Sequence, residues 1–228
     1  MEHGRESRIL DAAGDLLLAF GYRKVTIEDV ARRAEIGKGT VYLHWSSKLD
    51  LFAAVLVREV VQLTAAHLAT LRVDPAEIQL HRTLRNIFLL VMRRPLARAF
   101  YTGDTELLGA LSLDTKLGRQ VRADKELIGP PYLAALHAHG MLLDDPATDP
   151  SLPYRLSAST AGFFLLERML PDTIDVEAKA DALAVTVRRA FEPLRPPSSA
   201  DVAAAAPVIT GLYEQMVTDL TRPRQEQP

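Results

Sequence analysis

The sequence predicts an all-α protein, and three observations carry that reading. Apolar residues recur at helical spacing through most of the 228 residues. No alternating apolar–polar run of strand length interrupts them, and there is no internal repeat. Glycines, prolines and cap-type pairs divide the pattern into about nine or ten helices. Hydrophobic residues at 48% and charged residues at 25% suit a globular chain with a sizeable core.

Ile9, Ala12, Ala13, Leu16, Leu17 and Phe20 mark one face of a first helix over about Arg5 to Phe20. Gly21 ends it, as a residue tolerant of positive φ. Thr26 with Asp29 is a capping-box start for helix two, whose narrow apolar face is Ile27, Val30, Ala31 and Ala34. Gly37 and Gly39 bracket Lys38, and helix three runs from about Lys38 to His44. Ser47 with Asp50 caps helix four, which continues to about Leu71. Pro75 opens a helix to Arg93, and Pro95 breaks it. Gly103 and Gly109 punctuate short pieces. A longer helix is expected from about Thr115 to Gly140, interrupted or bent at Gly129-Pro130-Pro131. DDPATDPSLP is a loop by its Asp and Pro content. Helices fit Pro153 to Leu170 and Val176 to Phe191. A short linker follows, then a helix from Ala200 to Leu220, with Pro207 either inside it or starting it. The tail from residue 222 is expected to be disordered.

Composition removes several function classes. With no cysteine, disulfides, thiol nucleophiles and cysteine-ligated zinc are excluded. The longest apolar stretches are broken by Arg, Glu or Asp before the roughly 18 residues a membrane span needs. MEHGRESRIL leads into an amphipathic helix and not into a signal peptide, so the expected location is the cytoplasm, with no membrane partner. His137 and His139 stand two apart and do not share a helix face, so no metal is expected. His67 and His81 are isolated, and read as solvated or singly hydrogen-bonded. There is no nucleophile–base–orienter set, no Gly-rich phosphate loop and no HExxH, which argues against an enzyme; no cofactor is expected.

A net charge of −2 argues against coating nucleic acid along the whole chain. Between Tyr22 and Lys48, however, six basic residues face three acidic ones, a local excess of +3. That window overlaps the stretch Thr26 to Leu51, TIEDVARRAEIGKGTVYLHWSSKLDL, two short helices around a tight turn and then a capped third. This is a helix-turn-helix layout, in which the first helix crosses the phosphate backbone and the second enters the major groove. Small residues at Ala31, Ala34 and Gly37 allow close approach of the two helices. Val41 and Trp45 anchor the second inward. The candidate DNA contacts are Thr26, Lys38, Gly39, Thr40, Tyr42, His44 and Lys48. Thr26 is both cap and phosphate donor, Lys38 and Thr40 face base edges, and Tyr42 and Lys48 face phosphates. His44 has two readings, a phosphate donor or a buried partner of helix one.

The stretch resembles the DNA-binding domain of the TetR (tetracycline-repressor-like) family of bacterial regulators. Thr26, Ala31, Ala34, Ile36, Gly39, Thr40, Tyr42, Ser47, Lys48 and Leu51 carry the resemblance, within residues 5 to 55. Glu35, Gly37, His44, Trp45 and Leu49 depart from the commonest pattern. The resemblance implies a DNA-binding domain over 1–48, a helical ligand-binding and dimerisation domain over 49–221, and a tail over 222–228. It implies a homodimer that holds a near-palindromic operator in double-stranded DNA, most simply as a repressor, until a small-molecule effector releases it. On that reading Phe88, Met92, Phe100, Tyr101, Tyr132, Phe163 and Glu167 are pocket candidates, although the same spacing suits ordinary core. Ser157, Ala158, Ala161, Gly162 and Leu165, with Ala182, Val185 and Arg189, are the candidate dimer face, or else an intramolecular packing seam. A helical module that no longer reads DNA would need a neutral recognition face, whereas this one carries Lys38, Tyr42 and Lys48.

Overall fold

The computed structural model describes residues 2–111, 129–167, 169 and 174–221. Every regular element among them is helical: α1 Glu2–Lys24, α2 Ile27–Arg33, α3 Lys38–His44, α4 Lys48–Val73, α5 Leu80–Met92, α6 Pro95–Tyr101, α7 Thr105–Leu108, α8 Gly129–Ala138, α9 Leu152–Leu166, α10 Val176–Phe191 and α11 Ser199–Thr221. Short 3-10 turns cover Pro75–Ile78 and Gly109–Leu111. The first half of the helix expected from Thr115, and the tail after Thr221, lie outside the described residues.

The described residues form two compact units. One takes Met1–Val60 and Arg94–Arg122, the other Val61–Arg93 and Ala123–Pro228, so α4 contributes to both. In the first, Ile9, Ala13 and Leu17 of α1 are fully buried, as are Leu51 and Phe52 of α4. Each large side chain so buried contributes about 1.5–3 kcal/mol. Gly14 of α1 faces the same core, where a Cβ would make ordinary contacts with Leu96 Cδ1 at 3.5 Å and Val55 Cγ1 at 3.7 Å. Arg58–Asp11 at 2.7 Å and Arg94–Glu59 at 2.6 Å tie the same helices at their margins.

In the second unit α5 and α10 run antiparallel. Arg85–Asp181 at 2.6 Å and Arg93–Glu177 at 2.8 Å fix that register. At the start of α5, Glu192 accepts from the His81 backbone N–H at 2.8 Å and meets the ring Nδ1 at 2.6 Å. Phe88 of α5 meets Phe164 of α9 with ring centroids 5.2 Å apart.

Several boundaries differ from the sequence reading. The helix expected over Pro75 to Arg93 is two pieces, because Asp74 accepts from the Ala76 N–H at 2.9 Å and winds a tight turn that Gln79 leaves in extended conformation. Ile78 and Leu80, on either side of that break, are then both buried. Gly129-Pro130-Pro131 lies in the first turn of the described helix Gly129–Ala138, a position that suits proline, and the bend expected there turns on residues outside the described ones. α9 ends at Leu166, short of Leu170. Pro207 lies inside α11 on its exposed side. Phe20 is 59% exposed and does not join the α1 core face. Among the described residues α4 alone is long and apolar enough to cross a membrane, and 56% of its apolar window is buried, the pattern of a core helix.

Candidate nucleic-acid interface

The three helices α2, α3 and α4 build one exposed surface from local rules. Thr26 caps α2: its Oγ1 accepts from the Asp29 N–H at 3.2 Å and donates to Asp29 Oδ2 at 2.6 Å, while the Thr26 N–H donates to Asp29 Oδ2 at 3.0 Å. These bonds hold the Asp29 carboxyl below its ordinary range. The turn into α3 is a Schellman motif. Ile36 N–H donates to Ala31 at 3.0 Å and Glu35 N–H to Arg32 at 3.2 Å. Glu35 itself sits at φ 55, the left-handed region that favours glycine.

α3 follows with Gly37 as an N-cap that lacks a side-chain bond. Val41 is its buried anchor, and Trp45 at its C-cap is 8% exposed, a core residue and not a stacking platform. The rest of the helix faces outward. Lys38, Gly39, Tyr42 and Leu43 are exposed, and Thr40 and His44 are half-buried. α4 opens with Ser47 accepting from the Asp50 N–H at 3.1 Å.

All seven candidate contacts therefore reach the surface of one unit, with their charges partly engaged. The Lys38 ammonium is paired with Glu28 of α2 and lies 5.7 Å from the Tyr42 ring centroid. The pair raises Lys38 above its ordinary range and lowers Glu28. Lys48 lies over the Tyr22 ring at 4.3 Å, and burial lowers it. His44 packs its ring 5.4 Å from that of Trp45. Arg32 pairs with Asp29, and Arg33 with Asp15 at 2.7 Å. Three of the six basic residues in this window, Arg32, Arg33 and Lys38, are thus paired with carboxylates before any DNA arrives.

The pocket candidates are divided between the units. Phe100 and Tyr101 belong to α6 of the first, their rings 6.0 Å apart. Phe88, Met92, Tyr132, Phe163 and Glu167 belong to the second. Phe88 and Met92 are core, and the Tyr132 hydroxyl donates to the Ile78 carbonyl at 2.8 Å. Glu167 accepts from Lys179 at 3.1 Å. Of the candidate dimer face, Ser157, Ala158, Ala161, Leu165, Ala182, Val185 and Arg189 are exposed and Gly162 is half-buried. α9 buries only Leu152 and Phe164. His137 lies 3.7 Å from Asp145 and is not grouped with His139 at a metal-type cluster among the described residues.

The chain matches the model of the bacterial regulatory proteins of the tetR family over residues 9–55. It is 32% identical over 123 residues to the HTH-type transcriptional regulator YdeS of Bacillus subtilis (strain 168), a match covering 53% of this chain and 57% of that one. The match thus spans little more than half of that relative's length. Among solved structures, a tetR-family transcription regulator from Shewanella sp. PV-4 superposes with a TM-score of 0.57 at 17% identity, covering 83% of this chain and 98% of that one. A transcriptional regulator from Saccharomonospora viridis, solved in complex with choline, superposes with a TM-score of 0.51 at 20% identity, covering 85% and 100%. At these identities the likeness is one of fold.

Proposed function

Because the chain belongs to the TetR family of bacterial regulatory proteins, we propose that it is a ligand-responsive transcriptional repressor acting on double-stranded operator DNA as a homodimer in the cytoplasm. The observation that carries this reading is the outward face of α3, Lys38, Gly39, Thr40 and Tyr42, mounted on the buried Val41 and Trp45. An α-helix with its side chains is about 10–12 Å across, which suits insertion into a major groove about 12 Å wide. Lys38 and Thr40 read base edges. Thr26, Tyr42 and Lys48 hold phosphates, and His44 sits at the margin. For Lys38 to contact DNA, its bond to Glu28 is exchanged for one to the groove.

Two copies place their α3 helices one turn of duplex apart, about 34 Å, on a near-palindromic site. The exposed small and apolar residues of α9 and α10 support a self-association face there. An effector held among the aromatic side chains of the helical domain over 49–221 alters the spacing of the two readers, and DNA is released. The choline complex of the related fold supports a small-molecule effector. Occupancy of a promoter site excludes polymerase, which makes repression the simplest output. No step requires catalysis, a cofactor or a metal.

The test is binding to the DNA upstream of the protein's own gene at two or more salt concentrations. Lys48→Ala is expected to weaken binding to all duplexes alike and to flatten the log–log salt slope by about 0.9. Lys38→Ala or Thr40→Ala is expected to change sequence preference, at about 1–3 kcal/mol per lost base contact. Unaltered binding in all three variants would remove α3 and the start of α4 from the interface.

A further inference from the structure

One side chain of α3 fits none of the polar roles above. Leu43 is 83% exposed, the most exposed large apolar side chain among the described residues of its unit. Its neighbours on the helix account for the rest of the surface: Val41 is buried, while Lys38 and Tyr42 lie together at the side. One turn before Leu43 stands Gly39, and nothing lies within 4 Å of where its Cβ would be. Helical side chains lean toward the N-terminus and cover the preceding turn. Even so, the backbone one turn before Leu43 is bare, with no side chain, Leu43 included, within 4 Å of the Gly39 Cβ position.

An isobutyl group so displayed on a short, otherwise polar helix gains nothing from water. In a major groove the base edges offer a single apolar feature, the C5-methyl of thymine. We propose that Leu43 is a specificity-determining residue that packs on a thymine methyl group in each half-site and selects T·A over C·G there. Gly39 lets the helix backbone come close enough for that contact. This rests on the DNA-reading function above and adds a chemical identity to one position of the site.

The experiment uses the full chain. Preferred duplexes are selected from a randomised pool at fixed salt, and each thymine of the recovered site is then replaced in turn by deoxyuridine, which removes only the methyl group. Affinity is read by fluorescence anisotropy for the native chain and for Leu43→Ala, whose fold is checked by circular dichroism. One thymine per half-site is expected to lose about four-fold in affinity on replacement, the worth of one buried methyl. In Leu43→Ala the two duplexes are expected to bind alike. Neutral replacement at every thymine, or a four-fold loss that persists in Leu43→Ala, overturns the assignment while leaving the DNA-reading function standing. Recovery of no preferred duplex overturns that function, and this assignment with it.

Discussion

His67 has almost no contact with water, at 1% exposed, yet it titrates. The Asn86 amide nitrogen lies 2.9 Å from its Nδ1 and donates there, which leaves the ring proton on Nε2. That atom is buried without a hydrogen-bond partner among the described residues, and the imidazole meets the Tyr213 ring edge to face with centroids 4.8 Å apart. Burial lowers the ring from its ordinary 6.5 to about 4. The folded chain then holds His67 neutral where the unfolded chain binds a proton. Stability is full above pH 6.5 and falls as pH drops toward 4, with a slope of up to about 1.4 kcal/mol per pH unit. Urea unfolding at pH 7 and pH 5 measures this. His67→Gln keeps an acceptor for Asn86 but does not titrate, so its loss between the two pH values should be smaller. Equal losses in the two proteins would show that the ring is not the source. The sequence reading took His67 as isolated, although Leu63 and Leu71 stand four residues to either side on α4 and mark it as part of a buried stripe.

At the level of elements, Gly21 and Glu35, two of the described residues at positive φ, make opposite backbone arguments. Gly21 ends the straight part of α1 at φ 75, ψ 158, a region open essentially to glycine alone, and a Cβ there would lie 3.4 Å from the Glu106 carbonyl oxygen. Glu35 at φ 55 occupies the position that glycine usually fills in a Schellman turn. Gly21→Ala is therefore expected to destabilise the protein by about 1–3 kcal/mol. Glu35→Gly is expected to stabilise it by up to about 1 kcal/mol. Denaturant midpoints at equal slope check both, and shifts of the same sign would refute the backbone argument. Gly21, the caps at Thr26 and Ser47, and the span of α3 were all legible, because each depends on residues three or four apart. The break at Gln79 was not. Nothing at that position disfavours a helix, and its extended backbone serves the burial of both Ile78 and Leu80. Pro207 inside α11 went the other way, a local breaker overridden on an exposed face.

At the level of the whole molecule, the parts of the site that were legible are those a helical wheel resolves: which side of α3 is anchored and which is free. The Lys38–Glu28 pair was not, since it joins residues ten apart on two helices and depends on the angle between them. Nor was the return of α6 and α7 onto α1, which brings residues nearly a hundred positions away into the first unit. The proposed self-association poses the same difficulty, because the partner of an apolar helix exposed in one chain is not written in that chain's own pattern. α9 is such a helix, with Tyr154 at 77% and Leu165 at 50% exposed, and the small Ala158 and Ala161 between them. Small side chains permit close helix crossing, so one long cation among them should block it. Ala161→Arg replaces an exposed residue and is expected to leave the helical circular dichroism and the melting temperature of a single chain intact. Its mass by light scattering should fall from two chains to one. Affinity for a full two-half-site duplex should drop by about a hundred-fold or more, because two linked readers become independent. Affinity for a single half-site should stay unchanged. A two-chain mass retained by both Ala161→Arg and Val185→Glu would move the dimer contact off α9 and α10.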